Sequence, residues 1–361
     1  MVKLSPMPRD PALAPEVPSP EASKRQRATL TPELAWMGLN PVNLALQQGP
    51  LTISALGVDP PERSVQFHLT LMSLQDGVAR LSPYVPTLEE LEIIFNEARR
   101  LNTRLLTLVK GERLDHGLVW EDGSLELGLA PSRYVDGNAV PPYLPEGDGE
   151  PLLRRFIDDS VNLLSGLAFN EERLDKGLAP LNLLWPWGAG FRVPLPNLAL
   201  RRGEATSVES NSLRIAGVTR LAGYRHGHRS AFGRGLNTRL ERIVERASTQ
   251  TSLIAVIDAA TQLGSRGKIE ELQWFAHELD TRLFGPLLDR ALREPWDVTI
   301  VSPGGYTGDD EPEDASLTGL GLEYRSGPPP QNSHPFDERS LEERSIPTVD
   351  VWDFVDRSLS T

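Results

Sequence analysis

The strongest constraint on the fold lies in the C-terminal half of the chain. Leu253-Ile254-Ala255-Val256-Ile257 is a short, continuous apolar run of the kind found in strands buried on both faces. After it, Ile269, Leu272, Phe275, Leu279, Leu283 and Leu287 recur at helical spacing, and Val298-Thr299-Ile300-Val301 is a second buried strand. Strand, long helix and strand in this order make a βαβ unit and imply a parallel sheet. The expected class is α/β, with a mainly parallel sheet flanked by helices. Residues 303–335 are rich in Gly, Pro and acid and read as an irregular loop. A last helix is expected from about Asp350 to Leu359.

The first half has a different texture. Residues 1–27 carry six prolines and end in Lys24-Arg25-Gln26-Arg27. They show neither helical nor strand periodicity and read as a disordered tail. Strands are expected over 65–72, 104–109 and 117–120, the last followed by the turn Glu121-Asp122-Gly123. Thr87 and Glu90 have the spacing of a capping box, and Leu88, Leu91, Ile94, Phe95 and Ala98 form one apolar face behind them. A second long helix is expected from about Pro151 to Gly166, with Leu152, Leu153, Phe156, Ile157, Val161 and Leu164 inward.

Composition excludes several chemistries. There is no cysteine among the 361 residues, which removes disulfides, thiolate zinc sites, iron–sulfur clusters and a thiol nucleophile. A net charge of -13 argues against general nucleic-acid binding, because most of the surface repels a polyanion. No apolar run approaches the roughly 20 residues needed to cross a bilayer, and the N-terminus lacks the apolar stretch of a secretory signal. A cytoplasmic location is expected, with neither a nucleic acid nor a membrane as partner.

In an α/β fold, chemistry gathers at the carboxyl ends of the strands. Here those ends carry Thr261-Gln262-Leu263-Gly264-Ser265 and Ser302-Pro303-Gly304-Gly305, with Asp258 as the one nearby carboxylate. That is a poor metal site. Tyr224-Arg225-His226-Gly227-His228-Arg229 could set two imidazoles on one metal, but no third ligand is identifiable and the flanking arginines disfavour a cation. The loop reads equally as a solvated or partner-binding surface. Gly304-Gly305-Tyr306-Thr307-Gly308 could offer N–H groups to a phosphate, yet it lacks a Walker pattern and runs into Asp309-Asp310-Glu311. Trp185 and Trp187 read as core, with an aromatic ligand box as the sharper alternative.

A family pattern emerges across this framework. The segment from Asn170-Glu171-Glu172-Arg173 through Gly177-Leu178-Ala179-Pro180 to Trp185-Pro186-Trp187-Gly188 resembles N-x-E-R-x-x-x-G-L-x-P-A-N-x-x-W-x-W-G of the archaeal-type, cofactor-independent phosphoglycerate mutases. Gly38-Leu39-Asn40-Pro41, Gly49-Pro50, Tyr143-Leu144-Pro145 with Gly147, Leu221-Ala222-Gly223, Gly264 with Gly267, and Gly285-Pro286-Leu287-Leu288 extend the resemblance in order over residues 28–361. It implies an alkaline-phosphatase-like core over 28–56 and 167–361, with an α+β insertion over 57–166. It also implies two divalent ions held by Asp and His, and a serine that is transiently phosphorylated.

The departures fall on the chemistry. The family's D-E-A-G-H aligns with Thr261, Gln262, Leu263, Gly264 and Ser265, and its Asp-His pair with Gly304 and Gly305. The metal-binding P-D-G of the opening strand is replaced by the Pro-rich tail. The nucleophile aligns with Thr29 and the Asn of the same motif with Glu33. The Arg of G-R-G-P is Gln48, and F-R-x-N reads Phe67-His68-Leu69-Thr70. The Arg of Y-R-H is Asp115, with His116 kept as a candidate for residual anion binding or as a structural histidine. The Asp and Lys before L-A-G are Leu213 and Ala216. The resulting expectation is a non-catalytic homologue without metal cofactors, serving as a scaffold or regulatory subunit for a protein partner or a second copy of itself. The alternatives are an active two-metal mutase interconverting 2- and 3-phosphoglycerate, and a new binding activity in the Arg225–Arg229 loop.

Overall fold

A strand of twelve residues organises one part of the chain. The computed structural model describes residues 2–4, 19–24, 32–40, 46–202, 206–264, 268–302, 319–324 and 348–359. It divides into two units, one built mainly on residues 45–194 and the other mainly on 195–361.

In the first unit the elements are α1 (Gln48–Ala55), β1 (Ser64–Gln75), β2 (Val78–Arg80), α2 (Leu88–Ala98), β3 (Leu106–Glu112), β4 (Asp115–Glu121), α3 (Glu150–Ser165), α4 (Ala168–Asp175) and β5 (Leu183–Gly190). The sheet is antiparallel. β4 lies between β3 and β1, and β5 and β2 also pair with β1. Val65, Phe67, Leu69 and Leu71 of β1 meet Leu91, Ile94, Phe95 and Ala98 of α2 and Leu153, Phe156 and Leu164 of α3 in one core. The period of 2 in the strand and 3.6 in the helices is what lets these faces coincide. α2 starts as its spacing predicts: the Thr87 hydroxyl accepts from the Glu90 N–H, and the Glu90 carboxylate accepts from the Thr87 N–H.

This unit is wider than the expected insertion over 57–166. α1 and β5 belong to it because β5 is hydrogen-bonded along β1 from Gln66 to Met72, and α1 packs on the same strand. Helix and strand approach so closely at Gly49 that a Cβ there would lie 2.1 Å from the Gln66 carbonyl oxygen. The Gly-Pro step of the sequence is therefore a packing requirement.

In the second unit the elements are β6 (Thr206–Ser210), α5 (Leu213–Leu221), β7 (Arg225–His226), α6 (Leu240–Ala247), β8 (Ser252–Val256), α7 (Ala259–Gly264), α8 (Ile269–Leu279), α9 (Gly285–Ala291), β9 (Val298–Ser302), β10 (Gly319–Tyr324) and α10 (Val351–Ser358). β7, β6 and β8 form a parallel sheet in that order. The long helix forms, with Phe275 and Leu283 buried against Leu240, Ile243 and Leu263. It widens into a π turn over Asp280–Phe284 just before Pro286, whose missing N–H and ring cannot continue a regular α ladder.

Three expectations need correction here. β8 and β9 do not share a sheet: β9 pairs antiparallel with β10, which lies next to Val2–Leu4 and then Thr348–Val349. The α/β class holds, while parallel pairing among the described residues is limited to the β7–β6–β8 sheet and one two-residue edge. The chain returning after β9 pairs with it over Gly319–Tyr324, so the loop expected over 303–335 contains a strand. Nor are residues 1–27 wholly without structure. Val2–Leu4 fills a ladder between β10 and Thr348–Val349, and Pro20–Lys24 is a helical turn whose Lys24 is buried and bonded to Glu146. The other tail positions lie outside the described residues.

A buried clamp closes this unit. Arg202 donates to the Met37 carbonyl (3.1 Å), to Asp356 of α10 (2.6 Å) and to the Tyr224 hydroxyl. Gly38 has φ of +72°, and a Cβ there would meet both Arg202 and Asp356.

Replacing Gly49 by Ala should lower stability by about 1–3 kcal/mol through overpacking against β1. Leu88→Gln, at a side chain 76% exposed, should stay within about 0.5 kcal/mol of the parent. Urea unfolding of the two variants measures the difference.

Candidate functional site

The second face of β1 carries Gln66, His68 and Thr70, and all three are buried. α1 contributes Gln48 and Thr52 to the polar cluster on this face, β5 contributes Trp187, and β4 contributes Asp115. Thr70 pairs with Asp115 and His68 with Gly117 across the β1–β4 ladder, so His68 and Asp115 are diagonal neighbours on one face.

The contacts form two short chains. The Thr52 hydroxyl donates to the Gln48 carbonyl (2.9 Å), and the Gln48 amide donates back to that hydroxyl (3.3 Å). With the only hydroxyl hydrogen spent, Nδ1 of His68 carries the proton and donates to Thr52 (2.8 Å). His68 Nε2 stands 3.4 Å from Asp115 Oδ1, and the Asp115 side chain is 36% exposed. The His68 ring meets Trp187 edge-on at 4.9 Å. The Trp187 indole N–H donates to Thr70 (2.9 Å), which donates to Ser132 (3.1 Å). Gly188, at φ +64°, lets β5 pass against Gln48.

Threonine, histidine and aspartate in line look like a nucleophile relay, but the order of donors argues otherwise. The Thr52 oxygen is fully buried and its proton is committed to the helix backbone. It has no approach for an electrophile.

Three positions that the sequence singled out therefore meet at one place: Gln48, His68 and Asp115. His116 does not join them. It sits on the opposite face of β4, fully buried, with its ring 4.1 Å from Phe95 and Nδ1 accepting from the Gly111 N–H (3.0 Å). Burial, countered in part by the Asp115 charge, pushes its pKa down to about 3, so the ring is neutral and offers no cation to an anion. Leu213 and Ala216, in the other unit, are buried on α5. Thr261 lies on α7, after β8. Glu33 lies in a 3-10 turn over Pro32–Met37. Thr29, Ser265, Gly304 and Gly305 lie outside the described residues, as do the side chains of Thr261 and Glu33.

Among the described residues no group of three His, Asp or Glu could hold a metal ion, and no helix is long and apolar enough to cross a membrane. The sequence reading missed Thr52, an ordinary helix residue until the fold sets it against His68. It also missed Glu209, described below.

The segment from Asn170 to Gly188 is a packing device. Asn170 is fully buried and bridges the Leu164 and Leu181 carbonyls and the Leu181 N–H. Arg173 bonds the Ala179 carbonyl and stacks 4.2 Å over Tyr84. The Trp185 N–H reaches the Ala130 carbonyl (2.8 Å).

No family model matches the chain. A 2,3-bisphosphoglycerate-independent phosphoglycerate mutase of Methanosarcina mazei is 22% identical over 89% of this chain and 83% of its own length. Another, of Methanoculleus marisnigri, is 26% identical over 72% of this chain and 67% of its own. Among solved structures, the PH0037 protein from Pyrococcus horikoshii aligns over 99% of the chain and 85% of its own, with a TM-score of 0.68 at 15% identity. A cofactor-independent phosphoglycerate mutase from Thermoplasma acidophilum aligns over 100% and 89%, with a TM-score of 0.52 at 17% identity. The chain is a distant homologue of the archaeal-type, cofactor-independent phosphoglycerate mutases. Against that relationship, the mutase motif positions Gln48, His68 and Asp115 carry an amide, an imidazole and a carboxylate where the resemblance implies arginines.

The depressed pKa of His116 has a signed consequence. Between pH 6.5 and about 3 the unfolded chain binds a proton that the folded ring refuses. Its contribution is complete above pH 6.5 and is lost as the pH falls, at about 1.4 kcal/mol per pH unit. A His116→Phe variant should show a flatter fall of stability through that window, read from denaturant unfolding at a series of pH values.

Proposed function

We propose that this chain is a non-catalytic homologue of the cofactor-independent phosphoglycerate mutases, acting as a scaffold or regulatory subunit. The observation that carries the reading is the cluster of Gln48, His68 and Asp115. These positions converge on one small region, and the hydrogen bonds they make are with the protein's own groups. An amide, an imidazole and a carboxylate replace three guanidinium groups, and a carboxylate repels the phosphate that an arginine would clamp.

The metal positions support the same reading. Thr261, Ser265, Gly304 and Gly305 offer two hydroxyls and two hydrogens in place of carboxylates and imidazoles, with Asp258 as the nearby acid. That donor set does not fit two divalent ions. Leu213 and Ala216 are buried and supply apolar contact where the resemblance implies an acid and a base. Without metal or arginine clamps, the hydroxyl of Thr29 is unactivated. The partner in this reading is a protein, or a second copy of the chain.

The competing reading is an active metal-dependent mutase interconverting 2- and 3-phosphoglycerate, and the names of the relatives favour it. A coupled mutase assay with Mn²⁺ or Co²⁺, on protein free of host mutase, separates the two. Turnover should not rise above the no-protein background. Robust turnover that disappears in Thr29→Ala would establish the enzyme instead.

A further inference from the structure

We propose an anion site on the β7–β6–β8 sheet, formed by Arg225, Arg242 and Arg246 over Glu209, that takes a small phosphate-monoester or free phosphate dianion. It lies in the unit built on 195–361 and does not depend on the proposed loss of catalysis.

Glu209 is the penultimate residue of β6 and is fully buried. A carboxylate in that position must be paired, and two arginines of α6 pair it. Arg242 Nε donates to Oε2 (3.3 Å) and Arg246 Nε to Oε1 (2.9 Å). The two are four residues apart, so they share one face of the helix. Gly227 lines the other side of the carboxylate, where a Cβ would lie 2.5 Å from both of its oxygens.

One arginine would neutralise Glu209; the second leaves a surplus charge. Each guanidinium has five N–H donors, and Glu209 takes a single one from each. Their side chains are 28% and 32% exposed, so part of each fork reaches solvent. Arg225 adds a third cation. It pairs with Ser207 in the parallel ladder, and Ser207 shares its face of β6 with Glu209. Arg225 is exposed and its side chain makes no bond to a described residue. On the next face of α6, Glu241 is held by Arg282, and Glu245 is exposed.

Three guanidinium groups and one carboxylate leave a local charge of +2 on a chain whose net charge is -13. A dianion balances that surplus, and arginine forks bind the oxygens of a phosphate through paired N–H donors, a geometry that a halide cannot match. The place also fits the architecture, because Glu209 lies at the carboxyl end of a parallel strand. Glu209 fixes the two α6 arginines through Nε and thereby presents their outer nitrogens already oriented.

The test is calorimetric titration of the full chain with inorganic phosphate and with glycerol 3-phosphate, against sodium chloride at matched ionic strength. Saturable binding of either phosphate compound, absent with chloride, is the expected result. Tighter binding of glycerol 3-phosphate would mark an esterified ligand as the source, and equal binding would mark free phosphate. Arg225→Gln should weaken binding about tenfold, the loss of one charge-assisted bond, with the melting temperature unchanged. Arg246→Gln alone leaves Glu209 short of a partner and can fail to fold. The paired variant Glu209→Gln with Arg246→Gln removes one charge of each sign and keeps the local surplus at +2; it should fold, and should weaken binding about tenfold through the loss of one oriented fork. No saturable binding at millimolar phosphate, or binding indifferent to both variants, overturns the proposal.

Discussion

β1 is buried on both faces while only one of them is apolar, and that mismatch governs what can pack around it. Gln66, His68 and Thr70 are as inaccessible as Phe67 and Leu69 on the other side. Burying an unpaired amide or hydroxyl costs about 1–3 kcal/mol on the mutational scale, so every neighbour on this face must bring donors or acceptors. α1 brings Thr52 and β5 brings the Trp187 indole. The indole suits the role because its ring fills volume while its N–H satisfies Thr70. The helix reaches the strand because Gly49 has no Cβ to hold them apart.

Much of the local structure was legible, because it is decided within a few residues. The start of α2 follows from Thr87 and Glu90, whose reciprocal bonds need no tertiary context. The span of α3 follows from its apolar stripe. Pairing was less legible. The runs at β8 and β9 both announce buried strands, but an apolar run carries no register and does not name its neighbour. β9 found an antiparallel partner in β10, hidden in a Gly- and acid-rich stretch. β6 escaped notice for the opposite reason: Thr206-Ser207-Val208-Glu209-Ser210 is polar, yet all five residues are buried. Its acid is admissible there because Arg242 and Arg246, more than thirty positions away in the chain, supply the charge.

The candidate site was legible in identity and illegible in geometry. Gln48, His68 and Asp115 stand out only by comparison with a family pattern, since as isolated residues each is ordinary. Their meeting depends on the β1–β4 register and on the seating of α1. His116 shows the limit of reading one position by its neighbour: one step along β4 takes it from the polar face to the apolar core.

The same distinction explains how a fold can persist while its chemistry changes. The residues that carry the resemblance most clearly are held by packing and backbone bonds. Asn170 closes the loop into β5, Trp185 anchors that strand to Ala130, and Gly223 at φ +79° leaves room for Asn197. Replacing any of them strains backbone or leaves a buried group unpaired, with a direct penalty in stability. Charged groups that grip a phosphate are under no such constraint, because folding gains little from like charges brought together. On the proposed reading, Gln48, His68 and Asp115 in place of the arginines that the resemblance implies would relieve mutual repulsion and add internal hydrogen bonds. Stability alone therefore preserves the first set of residues and permits loss of the second. What remains is a distant likeness in sequence whose shared residues report architecture, so similarity of this kind speaks for the fold and leaves the reaction to be decided at the site.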